Sequence, residues 1–322
     1  MSFASLTGHD AVIRLLKGQI RQGRIPHTAL WVGPSGIGKA ALARAFAKAL
    51  ECAQPTKDGD ACDACDSCRK IEQGTSPDFL TVGPESENGQ IGIDQIRKLE
   101  NWMSLTPHSG KWKIGVLDQA EAMTDQAANA CLKMLEEPPA SSLFILLTTA
   151  PNRLLPTIVS RCHRLRLSPQ GVDSVAVYLR EKEKVEPAMA QMVAVASSGR
   201  LGMALDFLRT DHLQERNKNL DQMIQAIQRG DIEIPVAKLS RDKISENLEW
   251  YAAWLRDRLI LQLQGDPSWI IHQDRMQELR AASKTLSTEA LLQRLDRVYA
   301  VEQAIKKNAS VKNALSVLLS HG

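Results

Sequence analysis

Eight residues constrain this chain more than any others. Gly33-Pro34-Ser35-Gly36-Ile37-Gly38-Lys39-Ala40 carries the G-x-x-x-x-G-K frame of a phosphate-binding loop. Such a frame has meaning only between a buried strand and a helix. Ala29-Leu30-Trp31-Val32 is a short apolar run leading into it. Ala41 to Leu50 reads as a helix with Leu42, Ala45, Phe46 and Ala49 on one face. In an intact loop, backbone N–H groups at the helix start wrap the phosphates and the lysine reaches the terminal ones. A Ser or Thr hydroxyl then ligates magnesium, but here that position is Ala40.

A second departure lies downstream. Ile114 to Leu117 reads as a buried strand ending in Asp118, the expected metal-site carboxylate. Gln119 stands where a hydrolytic protein would carry a glutamate; it can orient a water but cannot take its proton. Gly33, Gly36, Gly38, Lys39 and Asp118 are therefore candidate nucleotide contacts in a degenerate site. Hydrolysis by this chain alone is not expected, and whether ATP or ADP still binds stays open.

Further strands are expected at 78–82, 143–149 and 164–167. They alternate with helices, one capped by Asp94 and one from Asp125 to Glu137 stopped by Pro138-Pro139. That alternation predicts a parallel α/β sheet. Beyond Ser168-Pro169 only helical patterning remains. Val172 to Phe207 reads as a small helical unit with a turn at Ser198-Gly199, and the rest as helices broken at Gly230, Pro235 and Gly265-Asp266-Pro267. With 322 residues, two or three domains are expected. Trp250 and Trp254, four apart, read as core. The stripe Leu291, Leu295, Val298, Val301 and Ile305 suits either an internal core or a subunit seam.

Cys52, Cys62, Cys65 and Cys68 have the spacing C-x9-C-x2-C-x2-C. Four thiolates suit a tetrahedral structural zinc site; the last three also resemble part of an iron–sulfur ligand set. Zinc is the favoured reading, because it would staple an excursion too polar to have its own core. The net charge of +3 neither demands nor excludes nucleic acid. No apolar run approaches the ~18 residues of a membrane span. The start, Met1-Ser2-Phe3-Ala4-Ser5, lacks the pattern of an export signal, so a cytoplasmic location is expected.

Arg161, in Thr157-Ile158-Val159-Ser160-Arg161-Cys162, follows the fourth strand, well past the chain's own phosphate loop. An arginine so placed can reach a neighbouring subunit's γ-phosphate and stabilise transition-state charge there.

With these residues assembled, the chain resembles the clamp-loader subunits of bacterial DNA polymerase III, and among them the delta-prime family. The matching stretches are 24–30, the loop through Lys39, the cysteines, 91–97, Asn129 to Pro139 (with L-K-x-L-E-E-P-P) and Ser160-Arg161-Cys162. They cover roughly the first half. The resemblance implies an AAA+ phosphate-loop module over 1–167 with a zinc-binding insertion at about 52–68. It also implies a small helical lid over 168–208 and an all-α collar over 209–322. The four cysteines would hold one structural zinc per chain. Arg161 would complete an adjacent ATPase site in a hetero-oligomeric ring with gamma/tau and delta subunits, acting on primed DNA and the sliding clamp during replication. Active relatives carry a lid arginine that senses the γ-phosphate; here Gly202 takes its slot and Arg200 is displaced by two. The alternatives are an autonomous AAA+ or gamma/tau-like ATPase, and a zinc-dependent nucleic-acid binder.

Overall fold

The computed structural model describes residues 1–85, 89–108, 111–209, 212–229, 241–306 and 309–319. The expected breaks at Gly230 and Pro235 lie outside them. Contacts divide the chain into two compact units, Met1–Gln170 and Gly171–Gly322.

The first unit opens with α1 (Asp10–Gln22), β1 (Thr28–Val32) and α2 (Lys39–Glu51). Then come α3 (Asp66–Gln73), β2 (Phe79–Val82), α4 (Ile93–Met103) and β3 (Lys113–Leu117). The unit closes with α5 (Asp125–Glu136), β4 (Ser142–Thr148), α6 (Pro156–Arg161) and β5 (His163–Arg166). The five strands form one sheet in the order β2-β3-β4-β1-β5, and every pairing is parallel. This is the α/β sheet that the alternating pattern predicts.

The inner strands are apolar on both faces because helices cover both. Ala29, Trp31, Leu143, Ile145 and Leu147 enter one core with Leu42, Phe46 and Ala49 of α2. Their alternate neighbours Leu30, Phe144 and Leu146 enter a second core with Ile96 and Leu99 of α4 and Cys131 of α5. Gly115 on β3 lets α4 close in: a Cβ there would stand 2.7 Å from the Met103 sulfur.

Local signals account for most helix ends. Thr124 caps α5 by accepting from the Ala127 N–H at 3.2 Å, and the helix stops ahead of Pro138-Pro139. The cap expected at Asp94 is a correction: the cap residue is Gly92. The Gln95 side chain accepts from the Gly92 N–H at 3.0 Å and donates to the Gly83 carbonyl at 2.9 Å. Asp94 instead lies in the first turn, where its charge still complements the helix dipole.

The second unit is helical throughout its described residues. Its helices are α7 (Val172–Glu181), α8 (Pro187–Ala196), α9 (Leu201–Arg209), α10 (His212–Arg229) and α11 (Arg241–Gln262), then α12 (Met276–Ser283), α13 (Thr288–Lys306) and α14 (Val311–Leu319). Ser198 and Gly199, both with positive φ, make the turn from α8 to α9. Among the described residues, no helix is long and apolar enough to cross a membrane.

Trp250 and Trp254 are core residues, 5% and 3% exposed. Leu291, Val298, Val301 and Ile305 of α13 pack into this unit's own core, with Leu295 against it. The stripe left open between core and seam is thus internal. At the centre, buried Asp257 of α11 accepts through Oδ2 from the N–H groups of Ile271 (2.9 Å) and His272 (2.8 Å). The same oxygen takes the His272 Nδ1–H at 2.8 Å, pinning the 270–272 segment to α11. Trp250 and Trp254 each meet the His272 ring edge-on.

Burial holds the His272 pKa below its usual range; Asp257 opposes that shift, with smaller effects from Arg216 and Asp274. The unfolded chain therefore binds a proton that the folded chain refuses, so His272 costs stability as pH falls below about 6.5. His272→Asn keeps a donor for Asp257 and does not titrate. The melting temperature of the native chain should fall more steeply between pH 7 and pH 5 than that of the variant. Parallel curves in a pH series of thermal melts would show that His272 is not the titrating group.

Candidate nucleotide and metal sites

In a parallel sheet all strands end at one edge, and loops leaving that edge build the site. The loop after β1 is the predicted phosphate loop. Gly36 (φ 70°) and Gly38 (φ 100°) both have positive φ, and Gly38 is the residue before α2. This geometry turns successive backbone N–H groups inward at the start of a 13-residue helix. Lys39 is 9% exposed, and its ammonium donates to the carbonyls of Gly33 (2.7 Å) and Pro34 (3.0 Å). Burial lowers the Lys39 pKa; the charges of Glu121, then Asp118, oppose that shift. Ala40 is exposed on the first turn of α2 and supplies no oxygen.

Asp118 follows β3 at the same edge. Its N–H donates to Val82 O at 2.8 Å, and its Oδ1 accepts from the Gln119 N–H at 3.0 Å. Gln119 is exposed and left-handed (φ 55°), and the chain there enters a short 3-10 turn, Ala120–Ala122. So the structure brings Gly33, Gly36, Gly38, Lys39 and Asp118 to one edge.

The four cysteine sulfurs all lie within 4.8 Å of one another, with Cys52 and Cys65 4.0 Å apart. None is in a disulfide. Four sulfurs at tetrahedral zinc distance would stand about 3.8 Å apart, so this set can close on a metal ion with small adjustment. The Cys62 N–H points at Cys52 Sγ and the Cys65 N–H at Cys62 Sγ, both at 3.3 Å, an arrangement that favours thiolates. The Cys65 thiol is lowered to about 6. Burial alone would raise it, but N–H donors from Cys68 and Ala53 and the neighbouring thiols outweigh burial.

The module is tied to its surroundings. Buried Asp60 accepts from the N–H groups of Phe3 (3.0 Å) and Ala4 (2.9 Å) and pairs with Lys17 at 3.3 Å. Buried Lys48 of α2 pairs with Asp63 of the module and, at 2.7 Å, with Glu72 of α3.

Arg161 is not part of the loop-end cluster. The Thr28 hydroxyl donates to its carbonyl at 2.8 Å, and β5 begins two residues later beside Ala29. Thr28 opens β1 and Gly33 follows its end, so β1 separates the Arg161 backbone from the chain's own loop by about 13 Å. The exposed guanidinium pairs with Glu136 at 2.9 Å and donates to Thr157 O at 3.1 Å.

The family model described as DNA polymerase III, delta subunit, matches residues 8–171, and the model for its C-terminal part matches 210–318. The delta' subunit of DNA polymerase III from Pseudomonas aeruginosa is 33% identical over 74% of this chain and 74% of its own length. The chain belongs to the delta-prime family of DNA polymerase III subunits. The Escherichia coli delta' subunit is 32% identical over 76% of this chain and 73% of its own length. The tau subunit from Bacillus subtilis is 31% identical over 64% of this chain but only 37% of its own length.

Two residues of this delta-prime family member escaped sequence reasoning. Glu121 Oε1 accepts from the Thr149 N–H (2.9 Å) and hydroxyl (2.5 Å), and Glu121 Oε2 is buried with no hydrogen-bond partner among the described residues. Glu121 lies three residues past Asp118 and Thr149 just past β4, outside any motif that would single them out. Arg200, which the resemblance sets two residues from the expected lid arginine, is engaged within the second unit. It donates to Ser197 O at 3.0 Å and pairs with Glu249 at 3.7 Å.

The left-handed backbone of Gly38 makes the loop testable. Gly38→Ala should cost about 1–2 kcal/mol, because a Cβ is strained at that φ. Thermal or denaturant unfolding would read this, and a neutral effect would mean that the loop relaxes out of the described geometry.

Proposed function

We propose that this chain works as a clamp-loader subunit of DNA polymerase III that does not turn over ATP itself but lends Arg161 to an adjacent ATPase subunit. One observation carries the reading. The Arg161 backbone is fastened to the start of β1 while the chain's own phosphate loop follows the end of β1. Arg161 is exposed, and the Glu136 carboxylate that holds it is a partner a phosphate can replace.

The division of labour follows from the residues. Ala40 removes the hydroxyl for magnesium and Gln119 removes the expected base, so the chain's own loop is poorly equipped for hydrolysis. Gly33, Gly36, Gly38, Lys39 and Asp118 keep the outline of a nucleotide site of the AAA+ kind. Cys52, Cys62, Cys65 and Cys68 hold one structural zinc, which closes a segment with a core of little more than Ala61 and the cysteines themselves. Residues 168–208 act as the lid and 209–322 as the collar. The collar joins gamma/tau and delta subunits in a ring that places the sliding clamp on primed DNA in the cytoplasm.

A loader reconstituted with Arg161→Ala should assemble normally and lose DNA-stimulated ATP turnover at the neighbouring site, by about a thousandfold or more. Unchanged turnover at saturating ATP and DNA would defeat the arginine's role. ATP hydrolysis by the purified chain, abolished by Lys39→Ala, would favour an autonomous ATPase instead.

Metal analysis of the purified chain should find about one zinc. Replacing Cys62 and Cys65 by Ser should remove the zinc and lower the melting temperature. Iron, or four titratable thiols without metal, would overturn the assignment.

A further inference from the structure

Glu121 stands in the short Ala120–Ala122 turn that follows Asp118 at the loop end of β3. Val32 of β1 and Thr148 of β4 are direct partners, and the Gly33 N–H donates to Thr148 O at 3.1 Å. Gly33 and Thr149 therefore leave the sheet side by side, about 4.8 Å apart. On the other flank of β4, Leu146 pairs with Leu117, so Asp118 leaves the same edge from β3. Thr149 thus sits between the phosphate loop and Asp118, and both its N–H and its hydroxyl are spent on Glu121 Oε1. The other oxygen, Oε2, is buried and has no hydrogen-bond partner among the described residues. Of the two carboxylates that act on Lys39, Glu121 acts the more strongly.

We propose that Glu121 is a specificity-determining residue of the chain's own loop: its carboxylate, fixed by Thr149 beside that loop, opposes a terminal phosphate, so the loop accepts a nucleoside diphosphate and discriminates against the triphosphate. The inner phosphates would meet the inward N–H groups around Gly36, Gly38 and Lys39, which do not depend on Glu121. A third phosphate would bring its charge against a fixed carboxylate at a partly buried position, where repulsion is weakly screened. It would also find Thr149 already occupied. Ala40 fits the same assignment, since the magnesium that escorts a triphosphate has lost its hydroxyl ligand.

This inference rests on the reading of residues 33–40 as a surviving nucleotide loop. It does not depend on Arg161, because the test uses the purified full chain with no neighbour present. Fluorescent ADP and a fluorescent non-hydrolysable ATP analogue are titrated into the native chain, Glu121→Gln, Thr149→Val and Lys39→Ala. The native chain should bind the ADP probe, and the ATP analogue at least about tenfold more weakly. Glu121→Gln should bring the two affinities to within about threefold by strengthening the triphosphate alone. Thr149→Val, which frees the carboxylate without removing it, should shift the ratio the same way by less. Lys39→Ala should weaken both probes. Retained ADP binding shows that each variant is folded, and a far-ultraviolet circular dichroism spectrum gives the same control independently. The proposal is overturned if the native chain binds both probes alike, if Glu121→Gln leaves the ratio unchanged, or if neither the native chain nor Glu121→Gln binds either probe.

Discussion

The parallel pairing of β1, with β4 on one side and β5 on the other, is the constraint from which the rest of the first unit follows. Because β1 and β4 run the same way, the loop at Gly33 and the residue Thr149 must emerge together. Because β5 also runs parallel to β1, the chain must reach the start of β1 before β5 can begin, and Arg161 lies there. One strand of five residues thus separates the loop at Gly33 from the backbone of Arg161. A parallel crossover fixes this separation more firmly than any ion pair, because reversing it would require a different topology.

Much of this was legible in sequence because the signals are local. Buried parallel strands appear as apolar runs, and Leu30, Phe144 and Leu146 could be assigned without knowing what covers them. The phosphate loop and the four cysteines are legible because their chemistry demands particular residues at short spacing. Asp94 marks where local reading failed. A good capping residue lay two positions too late, while Gln95, three residues after Gly92, supplied the bond to the cap N–H. Glu121 and Thr149 were not legible, since their contact joins residues 28 apart and neither belongs to a fixed motif. The Asp257–His272 contact was hidden for the same reason. The two tryptophans beside it were visible as core, but nothing in their spacing reveals a buried acid that takes three hydrogen bonds.

The cysteine module and the phosphate loop share an element. α2 begins at Lys39 of the loop and ends at Glu51, so Cys52 is the residue that follows the helix. Its last turn carries Lys48, whose buried ammonium pairs with Asp63 of the module and Glu72 of α3. Both carboxylates are partly exposed and solvent screens them, yet the buried ammonium needs their charge, so they help fix the module against α2 beside its sparse apolar contacts. That anchoring explains how a polar excursion is placed reproducibly, and it leaves metal ligation the task of closing the sulfurs on one another.

The departures in the nucleotide site follow a common logic. Ala40 removes a ligand for the cation that accompanies a triphosphate, and Gln119 removes a base from the end of β3. Glu121 adds a carboxylate in the turn after β3, held by Thr149 just past the end of β4. Random decay of an unused site would be expected to erode Lys39 and the two positive-φ glycines as readily, since each costs stability to keep: a lysine 9% exposed, and backbone that other residues resist. The lysine and the two positive-φ glycines of the phosphate-loop frame remain, while the hydroxyl at position 40 and the carboxylate at position 119 do not.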